Sequence, residues 1–228
     1  MQNRHQVVVS VDIEDYSSRS PGERDRLQQL LLRALERSAE AAKLAIDFWE
    51  TQPQGDGRYV VLPPDVHPGT IIGSFVTAFS AALSADQARR MRVRVAVDEG
   101  AIQPSVNGFA DDHAINAARL RDSGPLRAAM AACPAAPLGI IVSQRIFEDY
   151  TGGHDGIARE EFRRVEFTAK NQPYVGYIRI PGHNVHDLPL DAPKPPQAAP
   201  ATPVVNVNGT GAFGTLGDHA TITQNFAR

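Results

Sequence analysis

The run Val7-Val8-Val9-Ser10-Val11-Asp12-Ile13 reads as a buried strand that ends at a carboxylate. A second apolar run, Tyr59-Val60-Val61-Leu62, follows Gly55-Asp56-Gly57, whose glycines let the backbone reverse tightly between two strands. Two aspartates at strand ends of one sheet suit a divalent metal held against a polyphosphate. Magnesium takes one or two protein carboxylates and completes its shell with phosphate oxygens and water. The same residues also fit ordinary turn positions, where Asp is common.

Between these strands, Leu27, Leu30, Leu31, Leu35, Ala42 and Ala45 recur at helical spacing, with Arg24, Asp25, Arg33, Glu36, Arg37, Glu40 and Lys43 on the other face. A second helix is predicted from about Gly69 to Ala88, and a half-buried strand over Arg92 to Asp98. After a turn-rich stretch, Ala114 to Leu120 opens another helix. Leu138 to Ser143 reads as a buried strand, Arg145 to Tyr150 as a short helix, and Phe162–Phe167 with Tyr174–Ile180 as a closing hairpin. Hairpins at Asp56 and near Lys170 favour an α+β sheet with antiparallel pairs over a uniformly parallel, doubly wound one.

A chain of 228 residues with 42% hydrophobic and 21% charged residues suits one globular core with an appendage. A formal net charge of -3 argues against nucleic acid as a partner. The single cysteine, Cys133, excludes an internal disulfide and multi-cysteine zinc motifs, and reads as a small buried residue. Without a signal-peptide pattern or an uninterrupted apolar run near the ~20 residues that span a bilayer, the expectation is a cytoplasmic protein with no membrane partner. His183 and His186 have metal-like spacing but lie in a proline-rich loop, so a solvated pair is expected. Composition shifts at Pro181. The implied division is a domain over 1–181, a Pro-rich linker over 182–203 and a β-prone segment over 204–228.

In order, Val11-Asp12-Ile13-Glu14-Asp15-Tyr16-Ser17, Gly55-Asp56-Gly57, Arg94-Val95-Ala96-Val97-Asp98-Glu99-Gly100 and Ala117-Ala118-Arg119-Leu120 resemble the landmarks of a class III nucleotidyl cyclase domain, over about Gln6 to Pro181. That resemblance implies a ferredoxin-like α+β fold with a mixed, mostly antiparallel sheet covered by helices. It also implies attack of a ribose 3'-hydroxyl on the α-phosphate of a nucleoside triphosphate, releasing pyrophosphate. Two Mg2+ or Mn2+ ions would be held by Asp12, the main chain of Ile13, and Asp56. Arg119 would stabilise charge at the α-phosphate, a task suited to a permanent forked cation. Lys170 would contact the triphosphate. Because such late groups face metals held by a second chain in that family, a homodimer with composite sites is implied.

The sequence also departs from the family pattern. Ile115 stands four residues before Arg119, where the family places a catalytic asparagine, and Asn116 stands three before it. A one-residue shift turns a helical side chain by about 100°. Either an irregular helix start lets Asn116 reach the ribose, or that contact is lost. Gln52 takes the place of the lysine that selects adenine and, being able to donate and accept, could read another base. Relatives of this kind include bacterial pyrimidine cyclases of antiphage signalling.

The tail string Gly209-Thr210-Gly211-Ala212-Phe213-Gly214 satisfies GxGxxG, but too few residues follow for a dinucleotide-binding unit. Its alternation of apolar residues with Asn, Thr and Gln resembles short amyloid-type signalling motifs that reach an effector protein. A terminal hairpin fits equally. Two functions follow: a cyclase, or a cyclase-fold module weakened in catalysis that acts through assembly of its tail.

Overall fold

A computed structural model describes residues 4–85, 91–102, 104–105, 108–109, 112–153 and 157–190. The chain divides into a unit over Met1–Ala192 and a second over Pro193–Arg228, so the tail expectation lies outside the described residues.

The strands are β1 (Arg4–Ile13), β2 (Glu50–Pro53), β3 (Gly57–Val61), β4 (Val93–Ile102), β5 (Pro104–Ser105), β6 (Gly108–Phe109), β7 (Leu138–Ser143), β8 (Arg163–Ala169) and β9 (Gln172–Arg179). Seven of them form one sheet in the order β2-β3-β1-β4-β7-β9-β8. Every pairing is antiparallel except β4 with β7. That parallel pair is reached by a crossover through α4 (Asp112–Arg121) and α5 (Gly124–Ala132), since parallel neighbours cannot be joined by a tight turn.

Alternation along β1 sorts the two faces. Val7, Val9, Val11 and Ile13 enter the main core with Leu27, Leu31 and Leu35 of α1 (Pro21–Ala41). Val8 packs on the opposite face with Tyr59, Ala114 and Ala117, and Ser10 and Asp12 share its parity along the strand. Pro21 stands in the first turn of α1, and the Glu23 carboxylate accepts the Ser20 N–H at 3.0 Å, so the amino end of the helix is capped.

From Pro68 to Ala85 one helix runs continuously as α2 (Pro68–Thr70), a π turn over Ile71–Phe75, and α3 (Val76–Ala85). It is long and apolar enough to cross a membrane by length and composition, though Thr70, Ser74, Thr77, Ser80 and Ser84 interrupt it and half of it is buried inside the protein. Ile71, Ile72, Phe75, Val76, Phe79 and Leu83 bury it against the sheet. Helix α6 (Gln144–Tyr150) follows β7 directly, with Ser143 as its cap. Cys133 is buried as expected. Two features were not foreseen: β4 continues to Ile102 through residues read as turn, and α5 is a helix of its own.

Candidate functional site

The ends of β1 and β3 bring Asp12 and Asp56 together. Asp12 pairs with Gly57 in the β1–β3 register, and the Ile13 N–H donates to the Asp56 carbonyl at 3.0 Å. Both flanking glycines are required by geometry. Gly55 has φ +74°, and a Cβ on Gly57 would lie 1.8 Å from the Val11 carbonyl oxygen. The turn therefore presses against β1 and delivers the Asp56 side chain within hydrogen-bond reach of Asp12.

Asp12 is only 1% exposed. Burial pushes its carboxyl up to about 6, and the neighbouring Asp56 adds to the rise by hydrogen bonding and charge. Arg94 and Arg121 pull the other way without overcoming it. Arg94 lies opposite Asp12 in the β1–β4 register, and its guanidinium donates directly to the Asp12 carboxylate. Arg121, at the end of α4, is buried, donates to Ser10 at 3.0 Å and forks onto Asp122 at 3.1 and 3.0 Å.

These strand ends open on a cavity of about 430 Å³ lined by Ile13, Glu14, Asp15, Asp56, Arg94 and Arg127, among others. Ile13 lines the cavity as well, although its side chain belongs to the core. Among the described residues no cluster of three or more His, Cys, Asp or Glu is arranged as a metal site. Two adjoining carboxylates, one of them buried and raised by the other, still form a donor set that a hard cation relieves. Magnesium needs no more from protein when phosphates complete its shell.

Arg119 and Lys170 meet elsewhere. Lys170 and Asn171 are the two turn residues of the β8–β9 hairpin, both with positive φ (49° and 62°), as a two-residue type I′ turn requires. That tight turn sets Lys170 at the tip, where it lines a cavity of about 750 Å³ with Arg119, Ile115, Tyr59 and Phe167. Ile115 and Arg119 are one helical turn apart on α4 and share this cavity, with Ile115 43% exposed. Asn116 points elsewhere: its amide donates to Asp98 on β4 at 2.8 Å, and the same carboxylate meets His113 Nδ1 at 3.1 Å. Gln52 lies directly opposite Tyr59 in the β2–β3 register, on the sheet face that carries the Arg119 cavity.

Asp12, Ile13 and Asp56 thus converge, Arg119 and Lys170 converge, and no residue lines both cavities. A larger groove of about 1190 Å³, bordered by Lys43, Phe48 and Pro63, shares residues with neither. His183 and His186 form no joint site: their rings lie at the carbonyls of Pro181 and Glu160. The sequence reading missed Arg94, Arg121 and Arg127. Arg94 carried a usable signal, since it sits in an alternating strand at a position facing the same side as Asp98. Arg121 and Arg127 carried none, because a helix arginine reads as solvated until the helix is docked and shows whether it is buried, as Arg121 is, or faces a cavity, as Arg127 does.

No protein-family model matches the sequence, and no curated protein matches it. Solved structures do. A bacterial light-regulated adenylyl cyclase superposes with a TM-score of 0.53 at 12% identity, covering 79% of this chain and 51% of that one. The catalytic core of a rhodopsin-guanylyl cyclase with converted specificity, in complex with ATPαS, gives 0.52 at 14% identity, covering 77% and 94%. An adenylate/guanylate cyclase/hydrolase from Silicibacter pomeroyi gives 0.51 at 17% identity, covering 78% and 97%.

Proposed function

We propose that this chain, which has the fold of class III nucleotidyl cyclase catalytic domains, is a divergent member of that family that converts a nucleoside triphosphate to a 3',5'-cyclic nucleotide and pyrophosphate. The observation that carries the reading is the convergence of Asp12 with Asp56 beside Arg94 and Arg121, with Asp56 and Arg94 lining a cavity. Burying like charges side by side is costly unless a cation and its ligand are meant to join them.

Asp12, Asp56 and the Ile13 carbonyl would hold two Mg2+ or Mn2+ ions, which when bound lower the pKa of the attacking hydroxyl and offset charge on the leaving phosphates. The chain's own cations do the rest. Arg94 neutralises Asp12 while no metal is bound and is placed to turn toward a triphosphate once it is released. Arg119 offers forked donors to charge developing at the α-phosphate, and Lys170 a point charge to the phosphate chain. Gln52, opposite Tyr59 on the neighbouring strand, would read the base.

Since Asp56, which meets Asp12, and the Arg119–Lys170 pair line separate cavities, a complete site would need a second copy. Each chain would lend its carboxylates to one composite site and its Arg119 and Lys170 to the other, an isologous dimer.

The test is to incubate the purified protein with each of the four ribonucleoside triphosphates and Mn2+, alongside Asp56→Ala. Cyclic product from one base, abolished by the substitution, supports the reading. No product from any base sinks it.

A second reading is favoured by one contact. Asn116 is spent on Asp98, and Ile115 offers the Arg119 cavity no polar group. A module weakened in this way would bind nucleotide without turning it over and would signal through residues 204–228 to an effector, as in antiphage defence. Nucleotide binding without product, together with cross-β fibrils from a 204–228 peptide, would select it.

A further inference from the structure

We propose that Arg127 is a phosphate-binding residue of the cavity lined by Asp56 and Arg94, taking the outer phosphates of the bound nucleoside triphosphate; the inference rests on the nucleotide reading above. Helix α5 is locked in rotation by its buried side. Leu126, Ala129 and Met130 pack into the core with Ile141 and Ile178, and Ser123 caps the helix by accepting from the Leu126 N–H at 3.4 Å. With that face inward, Arg127 and Ala131, one turn apart, both line the cavity that holds Asp56 and Arg94. Ala131 has only a methyl group, so it leaves room beside the guanidinium.

The nearby arginines differ in how they are held. Arg94 is engaged by Asp12, and Arg92 by Glu14 at 2.8 Å. Arg127 is 57% exposed and reaches an acid, Asp122, only at 4.0 Å, and that carboxylate is already forked by Arg121. An exposed pair at that range contributes almost nothing to stability. A guanidinium facing the same cavity, with its donors hardly committed, supplies the forked contact that phosphate favours.

The probe is a 3'-deoxynucleoside triphosphate with Ca2+, which cannot be cyclised, compared by calorimetry with the matching 3'-deoxynucleoside monophosphate on the intact chain. All four bases are tried. Arg127→Ala is expected to weaken the triphosphate ~10-fold or more, the worth of a charged hydrogen bond, with the monophosphate changed less than about twofold. Arg127→Lys should recover part of the loss. If wild type binds the triphosphate and Arg127→Ala binds it equally well, or loses triphosphate and monophosphate alike, the inference fails while the cyclase reading stands. If wild type binds no triphosphate at all, both fail.

Discussion

Asp12 and Arg94 face one another across β1 and β4, their carboxylate and guanidinium in direct contact although Asp12 is buried and within reach of a second carboxylate. The pair is an internal counter-ion arrangement. A cation entering as proposed on Asp12 and Asp56 would compete with Arg94 for the Asp12 carboxylate, which would couple metal binding to release of Arg94.

That coupling sets a pH dependence. A carboxyl raised to about 6 keeps its proton more tightly folded than unfolded, where the ordinary value is 3.8, so its contribution to stability is present below that value and lost as pH rises through about 6. Metal requires the ionised form. The thermal shift produced by Mn2+ is therefore expected to be small at pH 5 and to grow through pH 6 to a plateau near 7.5. Asp12→Asn should abolish it at every pH. A shift independent of pH, or one retained by Asp12→Asn, would place the metal elsewhere.

Gly57→Ala tests the turn that delivers Asp56. Its Cβ would meet the Val11 carbonyl oxygen at 1.8 Å, a backbone clash that no rotamer relieves. The expected cost is about 3 kcal/mol or more, against about 1 kcal/mol for Gly55→Ala, where the penalty is positive φ without a clash. Denaturant melts of the two variants give the ranking.

The composite site proposed above would give complementation. Asp56→Ala and Arg119→Ala should each be inactive alone, yet refolding an equal mixture should restore about a quarter of wild-type activity, since half the dimers are mixed and each holds one intact site of two. Activity that stays absent on mixing would argue for a site built within one chain.

Positions 115 and 116 of α4 separate structure from catalysis. Asn116→Ala leaves Asp98 with one donor fewer and is expected to cost about 1–2 kcal/mol of stability, while changing kcat less than about threefold. Ile115→Asn puts an amide into the Arg119 cavity from an exposed position and is expected to raise turnover ~10-fold with stability within about 0.5 kcal/mol. A large kcat loss in Asn116→Ala with unchanged stability would reverse these roles.

Much of this protein was legible as periodicity. The valines of β1, the leucines of α1 and the Lys170 hairpin follow from which residues can share a face at a period of 2 or 3.6, a local property that neighbours along the chain settle. Glycines around Asp56 likewise announced a turn, Gly55 through its positive φ and Gly57 through its close approach to Val11. The α+β class and the mostly antiparallel sheet followed from the same signals.

Tertiary packing decided what local pattern leaves open. A one-residue offset on α4 turns a side chain by about 100°, and only docking the helix on β4 shows that Asn116 turns to Asp98 while Ile115 keeps company with Arg119. Arg94 is an ordinary polar strand residue until register sets it against Asp12, and Arg127 an ordinary helix arginine until buried leucine and methionine fix the rotation of α5. The physical reason is the same in each case. Periodicity names the face a residue occupies, whereas the charge, burial and partner it meets there belong to segments distant in the chain.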